Sequence, residues 1–362
     1  MQYRTWRPRP LLLALFAGIA PAAAGAADPA SGGPTVYLPN DSGIVVVDAG
    51  THQRIGRIAG TDTSHGLAIT PDGLTLVAGS LLARAPGSPP PRPSGVSEAD
   101  HQAHHGTAAT PAPGAVVGTL YLIDVDRGEV ARRIEVPGAI HHTLVTPDGR
   151  HAVSTHPGLG GVSVVELASG NLIVQVATGA APDYLVGRGD GGRLYVSNSG
   201  AGTVSEIDPA SWQVTRQLDV GGAPGHLALA ADAATLYVVD VVAGQVAALD
   251  LATGRVTQRY PAGSEPHGVA LSEDGGRLYV SSLQEHRLSA VDLTTGAVAT
   301  RTLDPAPYHL TTVPGSGKLY VSSRAVPRVW VVDQKSLHVD SVLATEGVTH
   351  QMVVRTNPPQ TQ

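Results

Sequence analysis

The sequence predicts an all-β fold, a seven-bladed β-propeller of four-stranded antiparallel blades. Three observations carry that prediction. The first is a recurring phrase: a turn, a histidine, four or five apolar residues, then a turn that often reads Asp-Gly. It stands as Ser64-His65-Gly66-Leu67-Ala68-Ile69-Thr70-Pro71-Asp72-Gly73 and as Ile140-His141-His142-Thr143-Leu144-Val145-Thr146-Pro147-Asp148-Gly149. It returns as Pro224-Gly225-His226-Leu227, Pro266-His267-Gly268-Val269, Pro307-Tyr308-His309-Leu310 and Thr349-His350-Gln351-Met352, and without histidine as Pro182-Asp183-Tyr184-Leu185. The second is the spacing of about 42 residues, the length of one four-stranded propeller blade. The third is that the strands left over at the two ends add up to one more blade.

Taken in order, residues 1–26 read as a secretory signal outside the fold. Arg4, Arg7 and Arg9 give the positive segment, Leu11 to Ile19 the short apolar one, and Ala24-Gly25-Ala26 the cleavage site. Without a twin arginine before the apolar core, export in the unfolded state is expected, with any metal loaded outside the cytoplasm. Residues 27–34 read as a flexible tail. The propeller is expected over 35–355, with a short tail over 356–362.

Thr35-Val36-Tyr37-Leu38, Gly43 to Asp48 and Arg54 to Ile58 read as three strands of a blade that lacks its inner strand. The phrase from His350 to Val354 supplies an inner strand without the other three. Joining the two would close the ring and remove the exposed edge an open sheet leaves. Between them each repeat reads alike. An inner strand starts at the histidine phrase, and a second reads like Leu194-Tyr195-Val196. A third ends in an acid such as Asp208, Asp250 or Asp292, and a fourth is more polar. Residues 81–117 break the period. They hold Pro86-Gly87-Ser88-Pro89-Pro90-Pro91-Arg92-Pro93, which cannot join a sheet. They also hold the cluster His101, His104 and His105, so a loop is expected there.

Composition narrows the function. Lys+Arg 24 against Asp+Glu 30 argues against a nucleic-acid partner. Past the leader no stretch is apolar enough to span a membrane as a helix. The absence of cysteine removes disulfides, c-type haem attachment and thiolate metal sites.

The chain resembles the YVTN family of seven-bladed β-propellers. The resemblance rests on strands such as Leu194-Tyr195-Val196-Ser197-Asn198 and on the Pro-x-x-apolar and Asp-Gly phrases, and it covers nearly the whole mature chain. It implies the fold, which hosts enzymes and binding platforms alike.

The histidines are unevenly placed. In antiparallel blades the loop before the inner strand and the loop between strands two and three share one face of the disc. His65, His141, His142, His226, His267, His309 and His350 begin inner strands, while His101, His104, His105, His156 and His286 lie in or near the second-to-third loops. Only His52, His151 and His338 fall on the other face. Imidazoles meeting on an axis suit copper, zinc or iron. The His-lined axis is similar in principle to that of propeller metalloproteins such as nitrous oxide reductase. Against this stands a plain reading in which each histidine caps a turn facing water. Adjacent strand residues point opposite ways. His65, His141, His267 and His350 would then face one side, and His142, His226 and His309 the other, each set alone offering enough ligands for a site.

The expected metal ligands are therefore His65, His141, His142, His226, His267, His309 and His350, with His101, His104 and His105 as a capture segment. Three functions stay open at this stage. One is a periplasmic metalloprotein, with copper ahead of zinc or iron, serving redox chemistry or metal storage and delivery to a periplasmic partner. Another is a non-catalytic propeller docking a protein or ligand. The last is a metal-assisted hydrolase or lyase, with His142 or His226 as general base.

Overall fold

The computed structural model describes residues 33–87 and 116–356. The expected signal segment, the residues before 33 and after 356, and His101, His104 and His105 lie outside the described residues. Among the described residues there are 28 strands in seven four-stranded antiparallel sheets, and one short 3-10 turn at Pro157–Leu159. None of the described helices is long and apolar enough to cross a membrane.

Six sheets run in chain order from an inner to an outer strand. The inner strands are Ser64–Ile69, Thr143–Val145, Pro182–Gly187, Pro224–Leu229, Pro266–Leu271 and Pro307–Val313. The seventh sheet joins the two ends of the chain. Val353–Arg355 pairs with Thr35–Asn40, with Tyr37 opposite Val353, and Gly43–Asp48 and Gln53–Ile58 complete it. The closure expected from the sequence is thus the one observed.

The core lies between blades, so both faces of a central strand are buried. Val36 and Leu38 pack with Val313, Tyr320, Val329 and Val331 of the preceding blade. Their neighbour Tyr37 points the other way, toward Leu67, Leu76 and Tyr121. This two-sided burial is why Gly43–Asp48 reads as an unbroken apolar run. Outer strands such as Val298–Thr302 are exposed throughout. Tyr121, Tyr195, Tyr279 and Tyr320 are among the largest fully buried side chains, so the recurring tyrosines are blade packing.

The recurrent acids are turn residues. The Asp250 Oδ1 accepts from the Thr253 amide at 2.7 Å, and that of Asp292 from the Thr295 amide at 2.8 Å. In the Thr-Pro-Asp-Gly turn, the Thr146 hydroxyl donates to Asp148 at 2.6 Å. These are Asx-type turns that satisfy loop amides locally.

The described ends of the insertion are tied to the second blade. Arg84 and Val117 exchange backbone hydrogen bonds at 2.9 and 2.8 Å, and Arg84 Nη1 lies 2.9 Å from Glu135. This connection links a second strand to a third, so it leaves from the face on which the inner strands begin.

Candidate metal centre

Six of the seven inner strands start with an irregularity that decides where their first side chains go. Pro182 pairs with Asn198 and Leu185 with Val196, and the register shifts between them. The same shift separates Pro224 from Leu227, Pro266 from Val269, Pro307 from Leu310 and Ser64 from Gly66. In the third blade the amide of His141 donates to the Thr155 carbonyl, and the Thr155 amide to the His142 carbonyl, both at 3.0 Å. Two residues thus oppose one, a β-bulge.

The bulge frees the amide of its second residue from the ladder, and a hydroxyl on the second strand takes it up. Thr155 Oγ1 accepts from the His142 amide at 2.9 Å, Ser197 from Tyr184 at 3.0 Å, and Ser281 from Gly268 at 2.9 Å. The serine of the Leu-Tyr-Val-Ser strands therefore has a local task at the axis.

Because of the bulge, alternation does not separate the histidines into two sides. His141 and His142 are adjacent and their ring centroids lie 4.5 Å apart. The alternation rule left open whether all seven histidines point inward, and in the structure both positions of the bulge enter the cluster. Ring contacts run around the whole cluster. His65 lies 4.3 Å from His141, 4.4 Å from His350 and 5.2 Å from His309. His226 lies 4.3 Å from His267 and 4.6 Å from His309.

Three triads place one ligand atom of each member within 4.8 Å of the others: His65, His142 and His309; His226, His267 and His309; and His141, His142 and Asp183. Among the described residues His350 joins no triad, although it packs on His65. The rest of the ring positions are filled by Tyr184, Tyr308, Gln351 and glycines. Tyr184 stacks on His226 at 4.4 Å and Tyr308 on His267 at 4.1 Å. Gln351 stitches two blades together: its Oε1 accepts from the Leu67 amide at 3.1 Å, and its Nε2 donates to the Thr143 carbonyl at 3.3 Å.

Hydrogen bonding fixes several tautomers. His65 Nδ1 lies 2.9 Å from the His141 carbonyl oxygen, and His142 Nδ1 lies 3.0 Å from the Asp183 carbonyl oxygen. A carbonyl only accepts, so each Nδ1 carries the proton and each Nε2 the lone pair. The Nε2 atoms of His142, His226, His267 and His309 are buried and have no hydrogen-bond partner among the described residues. Each such atom costs about 1–3 kcal/mol of lost solvation.

Burial, and then neighbouring imidazoles, push His65, His142, His226 and His309 far below the usual histidine range. Burial likewise takes His267 down to about 3 and His350 to about 4. These six imidazoles are therefore neutral near pH 7, with their lone pairs available to a cation. Tyr184 and Tyr308 are pushed up to about 12 by burial, so they stand as phenols.

The other histidines differ. His156, on the same face by topology, has both nitrogens satisfied, Nδ1 by the Ala139 carbonyl at 3.0 Å and Nε2 by Ser163 at 2.7 Å. It is structural. Sequence reasoning gave Asp183 no part in a metal site and passed over Tyr308 and Gln351. The signal was present: all three share the two phrase positions that carry histidine elsewhere.

Fold and cluster together define a closed seven-bladed propeller with a buried polyimidazole axis. The chain belongs to the PQQ_2 family, described as outer membrane protein assembly factor BamB, which matches residues 40–339. The likeness to YVTN propellers stays at the level of strand motifs. No curated protein matches the chain. Among solved structures it is similar to the periplasmic gluconolactonase PpgL of Pseudomonas aeruginosa, with 17% identity, TM-score 0.67 and coverage of 90% of this chain and 99% of that one. It is also similar to Kuenenia stuttgartiensis hydrazine synthase, with 18% identity, TM-score 0.63 and coverage of 86% and 93%. A putative 6-phosphogluconolactonase from Bacteroides uniformis has 16% identity, TM-score 0.68 and coverage of 89% and 99%. At these identities the likeness is one of fold.

Proposed function

We propose that this chain is a periplasmic copper protein whose axial imidazoles hold the metal for redox chemistry or for delivery to a partner. The observation that carries the reading is the set of four buried Nε2 atoms, on His142, His226, His267 and His309, that no group among the described residues hydrogen-bonds. Buried polar atoms are normally paired. A bound cation offsets the cost for those it touches, three of which, on His226, His267 and His309, belong to one triad.

Copper is chosen over harder ions because the inner ligands are all neutral nitrogen, with no carboxylate among His65, His226, His267 and His309. Zinc and iron accept the same donors, and copper stands ahead of them by affinity. The location follows from the secretory leader read in the sequence, which is compatible with a BamB-like propeller. The test is to add Cu(II) to the chelator-stripped full chain and record its electron paramagnetic resonance. Coupling to several imidazole nitrogens is expected. A spectrum of copper on one nitrogen, removed by a mild chelator wash, contradicts the proposal.

Family membership favours a second reading, a docking scaffold in the manner that the family's assembly-factor description suggests. On that reading the axial face binds a protein, and replacing His226 and His309 with Gln leaves partner binding intact. A scaffold has no use for a dry set of unpartnered imidazoles, which is why the metal reading comes first.

A further inference from the structure

We infer that the three triads form a ligand-exchange route along which an ion enters from a two-histidine, one-carboxylate site at the mouth and reaches the buried all-imidazole site. This rests on the copper reading above and assigns positions within it.

The two end triads share no residue. The outer one is His141, His142 and Asp183. His141 and Asp183 are 24% and 20% exposed, so two members of this triad meet water, against one, His267, in the inner triad. Its donor atoms are already gathered. His141 Nδ1 lies 2.7 Å from Asp183 Oδ1 and 3.1 Å from His142 Nδ1. Ligand atoms on a tetrahedral ion with bonds of about 2.0–2.1 Å stand about 3.3 Å apart, so small shifts admit a cation. The carboxylate brings charge to the mouth, and two nitrogens with one oxygen leave positions open for water.

The inner triad is His226, His267 and His309. All three Nε2 atoms are buried and unpartnered. The third triad, His65, His142 and His309, takes one member from each of the others. His142 can serve both of its triads by changing tautomer: in the metal-free protein Nδ1 carries the proton toward the Asp183 carbonyl, ligation through Nδ1 at the mouth moves that proton to Nε2, and it returns to Nδ1 when the ion passes inward to Nε2. An ion can therefore move inward by exchanging one ligand at a time, without ever losing all protein ligands. His142 is the pivot of the first step and His309 of the second.

The test uses the full chain, stripped of metal and titrated with Cu(II) and separately with Zn(II), with stoichiometry and stopped-flow loading rates measured. The expected stoichiometry is about two ions per chain, the outer one weaker because it shares its ligands with water. Asp183→Asn should remove the outer ion, keep the inner one, and slow its loading roughly tenfold or more. His141→Gln, at the same partly exposed rim, should behave alike, and His267→Gln should remove the inner ion while sparing the outer. Unchanged stoichiometry and loading in both rim variants overturns the route while leaving a copper site in place. Failure of the wild-type chain to bind any ion overturns the copper reading itself.

Discussion

Gly66 lies so close to the backbone of His142 that a β-carbon there would fall 2.8 Å from the His142 carbonyl carbon and 2.6 Å from the Thr143 amide nitrogen. The inner strands of the second and third blades thus approach as near as they do only because one carries glycine at the bulge. Gly268 stands in the same relation to the Tyr308 carbonyl oxygen, at 2.5 Å. Glycine next to histidine in these phrases makes room for the neighbouring blade.

It follows that Gly66→Ala pushes two blades apart at the axis. The overpacking should cost about 1–3 kcal/mol, read as a lower urea midpoint. The damage should centre on His142, so copper affinity falls with it. A variant as stable as wild type would show that the two strands do not meet as described.

Ser281 offers a second handle. Its hydroxyl accepts from the Gly268 amide at 2.9 Å and donates to the Tyr308 carbonyl of the next blade. Ser281→Ala leaves both buried backbone groups without partners, at a cost of about 1–3 kcal/mol in chemical denaturation. Ser281→Thr keeps the hydroxyl and should recover part of that loss. Equal stability of the alanine variant and wild type would rule out the bulge-capping role.

Much of this architecture was legible in the chain. The period, the Leu-Tyr-Val strands and the odd strands at the ends specified seven blades and their closure, because each is a local pattern repeated. The histidines of the axis were legible too, since they sit at one place in the repeat. What sequence could not supply is the bulge. A two-residue alternation rule sends His141 and His142 to opposite sides, whereas the shifted register brings both into the cluster. Asp183 was visible only as a missing histidine, and its pairing with His141 depends on blades meeting in space. His156 shows the converse: topology puts it on the axial face, yet its two hydrogen bonds make it structural.

The buried imidazoles also set the acid response of the metal-free protein. His267 and His350 have folded values of about 3 and about 4, against 6.5 for an unperturbed imidazole, with burial as the main cause. Between those values the unfolded chain binds protons that the folded chain refuses, so stability rises with pH across that window and levels off above it. The contribution present above 6.5 is lost as pH falls through the folded values. His350 alone accounts for on the order of 3 kcal/mol. Urea midpoints of the stripped protein should hold steady from about pH 8 to 7 and fall progressively toward about pH 4.5. A flat profile over the acid range would mean that these rings are solvated.

The most direct test of the proposed polyimidazole metal centre is the metal content of the full chain as purified, wild type beside the His226→Gln, His309→Gln double variant. The account predicts copper at the inner site of the wild type and loss of that inner ion in the double variant, with the fold intact by circular dichroism. A wild-type chain devoid of transition metal, or a double variant that keeps its full copper, would contradict it.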